Sequence, residues 1–324
     1  MTTNTMQLSG GLEVPLVGLG LWKIAIDDAP RIIAQAVADG YRHLDSACDY
    51  GNEPAVGAGL ASVLRSKTVR REQLWVTSKL WNTYHEPQHV RPAIERTLRD
   101  LGLDYLDLYL IHFPVAQAFV PFEERYPPGW SADPGHPERG IRPIRVPVAE
   151  TWGAMEEIVR AGLTRTIGVS NFGVSLLRDL LSYAAIRPAM LQVELHPFLA
   201  QEKLLRFCRE ERIGVTGFSP LGAGSYVPLG MAKPEDSVLG QPVVRQIAES
   251  HGRSPAQIVL RWGVGRGTAV IPKTSRPERL RENLAIFDFE LTPDEMRSIS
   301  ALDRHHRYND PGVFCEAAFH TFYP

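Results

Sequence analysis

The 324-residue sequence has three cysteines, Cys48, Cys208 and Cys315, widely scattered and with no CxxC pair. That excludes a disulfide framework, makes a structural zinc site unexpected, and predicts a reducing, cytoplasmic setting. Basic charge is not in surplus: 35 Lys and Arg against 37 Asp and Glu leave a formal charge of −2. A nucleic-acid partner held by the overall field is thereby excluded, although one small anion can still find a local basic pocket. No apolar run reaches the roughly 18 residues that a bilayer span needs, so no membrane partner is expected. The opening residues MTTNTMQLSGG lack a basic n-region and an apolar h-region, so no secretory leader is expected. Internal repeats and low-complexity tracts are absent as well. With 44% hydrophobic and 22% charged residues, the chain has the composition of a globular protein able to bury a sizeable core.

Short apolar runs alternate with amphipathic stretches. The runs Pro15–Trp22, Tyr41–Ser46, Leu74–Leu80, Tyr105–His112, Thr164–Ser170, Met190–His196, Gly214–Ser219 and Thr268–Lys273 read as strands. Between them the 3.6-residue period predicts helices over Ala29–Asp39, Glu53–Leu64, Val90–Leu101, Val148–Ala161, Ser175–Leu181, Glu202–Glu211, Pro255–Val264 and Arg276–Leu284. Ser254-Pro255 reads as an N-cap with proline at the first helical position. Strands spaced this way need crossover helices and parallel pairing. Eight such units favour a closed (β/α)8 TIM barrel over a doubly wound sheet with a second domain.

The expected organisation is one barrel domain over residues 1–324, with an N-terminal cap over about 1–12. Two stretches break the rhythm, Phe113–Pro147 after the fourth strand and Leu221–Ser254 after the seventh. The second is expected to carry an extra helix at Pro242–His251. A third irregular segment, about 303–324, forms a C-terminal loop. Long loops in a compact fold are usually functional or disordered, and in a barrel those that follow strands leave the face where active sites sit.

His85-Glu86-Pro87-Gln88-His89 is a literal HExxH. Zinc binding needs both histidines on one uninterrupted helix. Pro87 belongs in a first helical turn and disfavours helix before it, so the ligand geometry fails. The glycine runs at 57–59 and 263–267 also lack the strand-to-helix context of a nucleotide loop. A nucleotide, if bound, is held without a Rossmann motif, and no metal is expected.

The informative residues stand at strand ends. Asp45, Lys79 and His112 close three successive apolar strands, where unpaired titratable groups are costly. In a barrel they converge at one mouth, and Tyr50 lies within reach just past the second strand. An ammonium beside a phenol favours the phenolate and lowers the phenol pKa from about 10, which suits a general acid–base. A lone buried Asp–Lys pair is more often structural; four such groups on consecutive strand ends raise the odds of catalysis sharply.

The run Leu44-Asp45-Ser46-Ala47 through Tyr50-Gly51-Asn52-Glu53 closely resembles a signature of the aldo-keto reductase superfamily. Gly168-Val169-Ser170-Asn171-Phe172 resembles a second. Ile271-Pro272-Lys273-Thr274-Ser275-Arg276-Pro277-Glu278-Arg279 with Glu282-Asn283 resembles a third. The similarity runs from about Leu12 to Asp310. It implies a (β/α)8 barrel that binds NADPH, with NADH possible, and reduces the carbonyl of a small molecule. It implies that Tyr50 protonates the carbonyl oxygen, that Lys79 paired with Asp45 tunes Tyr50, and that His112 orients the carbonyl. It further implies that Ser170, Asn171 and Gln192 hold the carboxamide and that Phe218 stacks on the nicotinamide. Ser219, Leu221 and Gly222 would line the pyrophosphate. Lys273, Thr274 and Arg279 would grip the 2′-phosphate, with Ile271 and Ser275 beside them, and Glu282 and Asn283 would meet the adenine.

The loop Phe119–Gly129 and the tail Arg307-Tyr308-Asn309-Asp310-Pro311 resemble the xylose reductase branch. That implies contacts from Trp22, Asp49, His112, Phe113 and Asn309 to an aldose such as D-xylose, which becomes its alditol. Buried polar groups discriminate hydroxyls well. Two other readings stand beside it. One is a reductase of a different carbonyl, such as an aromatic aldehyde or a sugar phosphate met by Arg125, Arg139, Arg142 and Arg145. The other is a non-catalytic nucleotide-binding barrel. A monomer or homodimer fits either.

Overall fold

The computed structural model describes residues 4–131, 141–315 and 323. A hairpin opens the chain: β1 (Thr5–Gln7) pairs antiparallel with β2 (Glu13–Pro15), Met6 opposite Val14. Eight further strands form one sheet in chain order: β3 (Leu19–Gly20), β4 (His43–Asp45), β5 (Trp75–Leu80), β6 (Leu106–Ile111), β7 (Thr164–Ser170), β8 (Met190–Glu194), β9 (Gly214–Phe218) and β10 (Ala269–Val270). Each step is a βα crossover through a helix: α1 (Ala29–Asp39), α2 (Glu53–Arg65), α3 (Pro87–Leu101), α4 (Val148–Arg160), α5 (Val174–Tyr183) and α6 (Glu202–Glu210). α7 (Pro242–His251) and α8 (Pro255–Gly265) together join β9 to β10, and α9 (Pro277–Leu284), α10 (Pro293–Ser300) and α11 (Pro311–Phe314) follow. The chain-order sheet is the one that successive crossovers build, and it is the expected (β/α)8 barrel.

Two compact units can be told apart. One comprises Met1–Gly20, Gln35–Leu44 and Gln192–Asn309. In it the first and last strands meet: Val17 bridges Val270 in parallel, Gly18 N donates to Val270 O at 2.8 Å, and Gly20 N donates to Pro272 O at 3.2 Å. Both glycines are required by close approach, since a Cβ on Gly18 would stand 2.7 Å from His43 and one on Gly20 would stand 2.7 Å from Ile271 O. The other unit comprises Leu21–Ala34, Asp45–Leu191 and Asp310–Pro324. There β6 runs parallel between β5 and β7, with Leu108 opposite Thr77 and Thr166. Every residue of β5 and β6 is buried, so Asp107 needs partners. It has them in Arg71 at 2.8 Å, Arg165 at 2.9 Å and the amide of Val76 at 2.9 Å.

Element type follows the sequence reading, and boundaries differ where local chemistry intervenes. The expected strand Pro15–Trp22 is broken: its first residue belongs to the hairpin, Val17 makes an isolated bridge, and the barrel strand itself is Leu19–Gly20. The expected strand Thr268–Lys273 shrinks to Ala269–Val270, ahead of Pro272, which has no amide to donate. Helix α3 starts at Pro87, three residues earlier than the apolar period alone predicts. His85 therefore lies buried before the helix, while His89 stacks on Phe119 with centroids 3.6 Å apart. Among the described residues no group of three or more His, Cys, Asp or Glu could hold a metal ion. Among the same residues no helix is long and apolar enough to cross a membrane.

The two long loops leave the ends of β6 and β9. In the first, Ala118 N donates to Arg142 O at 2.8 Å and Ile144 N to Ala116 O at 3.0 Å, which ties its two limbs together. The second begins as a run of short 3-10 turns before α7. Arg139 and most of the tail beyond Cys315 lie outside the described residues.

Candidate active site

Within the second unit three strands deliver one cluster. Asp45 ends β4, Lys79 lies near the end of β5, and His112 follows β6. Tyr50 stands on a single 3-10 turn, Cys48–Tyr50, closed by Gly51 in the left-handed region. The Lys79 ammonium donates to Asp45 Oδ1 at 2.6 Å, to Ser46 O at 2.7 Å and to the Tyr50 hydroxyl at 3.2 Å. All three of its N–H donors are thus directed, which is the condition for keeping a lysine fully buried. The His112 ring meets Tyr50 edge-on at 6.1 Å, Trp81 edge-on at 5.2 Å, and stacks on Phe113 at 5.0 Å.

The electrostatics correct one expectation. Burial, with Asp45, Asp49, Glu53 and Cys48 adding to it, holds the Tyr50 phenol well above its usual pKa rather than below. The ammonium that was to favour phenolate is itself neutralised by Asp45. Tyr50 is therefore a held proton, ready to be given to a stronger base. His112 is driven well below the ordinary histidine range by burial first and by the Lys79 charge second. A neutral imidazole can donate one hydrogen bond without carrying charge. Desolvation pushes the half-buried Asp49 carboxyl up to about 7.

Two side chains brace this cluster. Asn52 Nδ2 donates to Leu21 O and to Ile24 O, each at 3.0 Å, and so grips the turn on both sides of Trp22. Glu53, at the first position of α2, accepts from Ser78 Oγ at 2.7 Å and Thr97 Oγ1 at 3.1 Å. Ser78 neighbours Lys79 but points to the opposite face of β5, so Glu53 locks the outside of the strand whose inside carries the lysine. The resemblance quoted both residues without giving them these tasks.

Ser170 and Asn171, at the end of β7, join the same group. Asn171 adopts φ 63°, and its Nδ2 donates to His112 O at 2.9 Å and to Ser170 Oγ at 3.1 Å. The Tyr323 hydroxyl donates to Asn171 Oδ1 at 3.1 Å. Trp22 has the Lys23 ammonium 4.4 Å from its ring centroid. Of the arginines considered for a sugar phosphate, Arg125 donates one guanidinium N–H to Ser131 O at 2.9 Å.

The first unit carries the other predicted residues. Gln192 is buried on β8, and Phe218 ends β9 half-buried. Ser219 adopts φ 49°, and its hydroxyl lies 2.8 Å from that of Tyr226. Leu221 and Gly222 follow; a Cβ on Gly222 would stand 3.0 Å from Val238. Past β10, Ile271 and Thr274 are buried, Ser275 is half-buried, and Lys273 and Arg279 are exposed. Thr274 Oγ1 accepts from Arg276 N at 3.1 Å, which shapes the turn into α9. Glu282 accepts from the Ser254 hydroxyl at the start of α8, and Asn283 is buried against Tyr41. Lys273, Arg276 and Arg279 have no carboxylate partner among the described residues. Asn309 donates its amide to Glu194, a carboxylate absent from the sequence-based site.

The profile of the aldo/keto reductase family matches residues 16–304. The chain belongs to this family. As an aldo/keto reductase it is 46% identical over 313 residues to a probable NAD(P)H-dependent D-xylose reductase of Emericella nidulans, covering 96% of this chain and 97% of that one. It is 45% identical over 312 residues to NAD(P)H-dependent D-xylose reductase I,II of Candida tropicalis, covering 96% and 95%. Among solved structures, the aldose reductase of Schistosoma japonicum superposes with a TM-score of 0.86 at 34% identity, covering 99% of this chain and 98% of that one.

Proposed function

We propose that the chain reduces the aldehyde of an aldose, D-xylose first among them, to the alditol, with NADPH as preferred and NADH as alternative reductant. The observation that carries this reading is the Tyr50 hydroxyl held 3.2 Å from Lys79 Nζ, itself 2.6 Å from Asp45 in a sealed pair. A structural ion pair needs no phenol beside it. The relatives named as D-xylose reductases support the sugar.

The cofactor residues fit a phosphorylated nucleotide. Lys273, Arg276 and Arg279 are cations without a carboxylate partner among the described residues, which suits the adenosine 2′-phosphate by charge-assisted bonds. Lys273, Thr274 and Arg279 hold that group, with Ile271 and Ser275 beside it, while Glu282 and Asn283 take the adenine. Ser219, Leu221 and Gly222 take the pyrophosphate. Phe218 stacks on the nicotinamide, and Ser170, Asn171 and Gln192 hold its carboxamide. When bound, the reduced nucleotide supplies the hydride.

His112, kept neutral, donates to the carbonyl oxygen and fixes its direction. Tyr50 gives its proton to that oxygen as negative charge gathers there. Lys79 and Asp45 hold the phenol in place and stabilise the phenolate left behind. Trp22, Asp49, Phe113 and Asn309 contact the sugar chain.

The test is nucleotide oxidation followed by absorbance against D-xylose, glucose 6-phosphate and an aromatic aldehyde, with NADH in parallel. Efficient turnover of xylose is expected. Turnover of the aromatic aldehyde alone would leave the chemistry standing and refute the aldose assignment.

A further inference from the structure

We propose that Glu194 and Tyr308 are positioning residues that couple the loop after β9 to sugar recognition, so that one aromatic latch sets both. The inference rests on the reading of Asn309 as a sugar contact and of residues 219–222 as nucleotide contacts.

Glu194 closes β8 and is wholly buried. Its two carboxylate oxygens divide between successive amides of the tail: Oε1 accepts from Tyr308 N at 2.9 Å, and Oε2 from Asn309 N at 2.8 Å. His196 Nε2 lies 2.8 Å from Oε1. A bidentate grip on two consecutive amides fixes both position and direction of the backbone. Asn309 is thereby placed by a strand of the barrel rather than by its own loop.

The Tyr308 side chain leaves that anchor and enters the other loop. Its hydroxyl donates to Asp236 O at 3.0 Å. Its ring stacks on Tyr226, with centroids 5.4 Å apart and planes at 15°. The Tyr226 hydroxyl in turn lies 2.8 Å from that of Ser219. Arg304 and Asp236 make a second link at 3.5 Å. A Cβ on Gly222 would stand 3.8 Å from the Tyr308 ring, so the ring packs over the backbone assigned to the pyrophosphate. One residue thus spans the segment that carries Asn309 and the segment that carries Ser219, Leu221 and Gly222. A shift of either segment must be taken up by the same ring, and coupling of two binding events through such an element is reciprocal.

The experiment compares wild type with Tyr308→Phe, which keeps the ring and deletes the hydroxyl with its bond to Asp236 O and its contact with Arg304. Loss of one such hydrogen bond corresponds to about fivefold in affinity. NADPH Kd and xylose KM are expected to rise together by about that factor. The kcat with propanal, which has no hydroxyls to recognise, is expected to stay within about twofold at saturating NADPH, the deleted bond lying outside the reacting groups. Movement of one constant without the other, or of neither, would overturn the coupling. Glu194→Gln supplies an independent variant of equal size: xylose KM rises and propanal kcat holds if Glu194 positions Asn309, and an unchanged KM refutes that role. A wild type that reduces propanal but not xylose sinks the sugar reading itself. A wild type that reduces xylose, with both variants indistinguishable from it, removes the coupling alone.

Discussion

Lys79 Nζ lies 2.6 Å from Asp45 Oδ1, with the lysine side chain fully and the aspartate almost fully shielded from water. Two charges so placed have surrendered their hydration, and each is tolerable only because the other is present. The third direction of the ammonium goes to Tyr50. On the proposed reading the pair serves stability and chemistry at once, and the two uses can be separated.

Lys79→Met is expected to leave Asp45 as an uncompensated buried charge and to cost about 3–5 kcal/mol of folding free energy. Adding Asp45→Asn should recover most of that loss and restore no turnover. Urea unfolding of the single and double variants checks it. A single variant as stable as wild type would show that the pair is not buried in solution.

Tyr50→Phe keeps the ring and removes the proton. Turnover is expected to fall by a factor of about 10²–10⁴, the usual contribution of a positioned general acid. NADPH affinity, read by titrating protein fluorescence, should hold. Near-normal turnover would remove Tyr50 from its role.

Asp49 gives a pH dependence with a definite sign. Burial raises its carboxyl from an ordinary 3.8 to about 7, so the folded chain holds a proton that the unfolded chain releases. The associated stability is complete below pH about 4 and is lost as pH rises through about 7. Asp49→Asn cannot titrate. Its stability relative to wild type should therefore increase from pH 5 to pH 8, while shared groups such as Glu53 largely cancel. A relative stability constant over that range would mean that Asp49 is already ionised in the folded chain.

Arg279→Ala deletes one of the exposed cations assigned to the 2′-phosphate. Charge-assisted bonds contribute about 1.5–3 kcal/mol, so NADPH Kd should rise by about ten- to a hundredfold. NADH lacks that phosphate and its Kd should barely move. Equal losses for both nucleotides would displace Arg279 from this role.

Most of the barrel was legible because its periodic signals are local. Thr164–Ser170, Ala29–Asp39 and the extra helix Pro242–His251 have the expected limits. Pro87 announced both the start of α3 and the failure of the HExxH geometry. Helix α10 has no counterpart among the expected helices although its signal is local too: Thr292 and Glu295 form a reciprocal cap, written in the sequence as Thr-Pro-Asp-Glu. The short barrel strands β3 and β10 were drawn too long, because their ends are set by pairing with distant partners.

Asp45, Lys79 and His112 were readable as candidate site residues because a charge or imidazole on an apolar strand demands a partner. Glu194 carries the same signal within Met190–His196 but is absent from the expected site, since the two amides it holds lie 114 and 115 residues away in an irregular tail. The Tyr323–Asn171 bond, spanning 152 residues, had no signal at all.

The sequence alone determined the alternation of strands and helices, the strand ends that carry chemistry, and the family that those residues resemble. Those properties depend on side-chain type and on periods of two and 3.6 residues, which neighbours along the chain fix. Only the tertiary structure decided that Tyr50 keeps its proton, that Asn52 and Glu53 brace the cluster, and that Glu194 holds the tail. Each of these depends on desolvation and on hydrogen bonds across tens to more than a hundred residues, and such distances have no meaning until the chain has closed on itself.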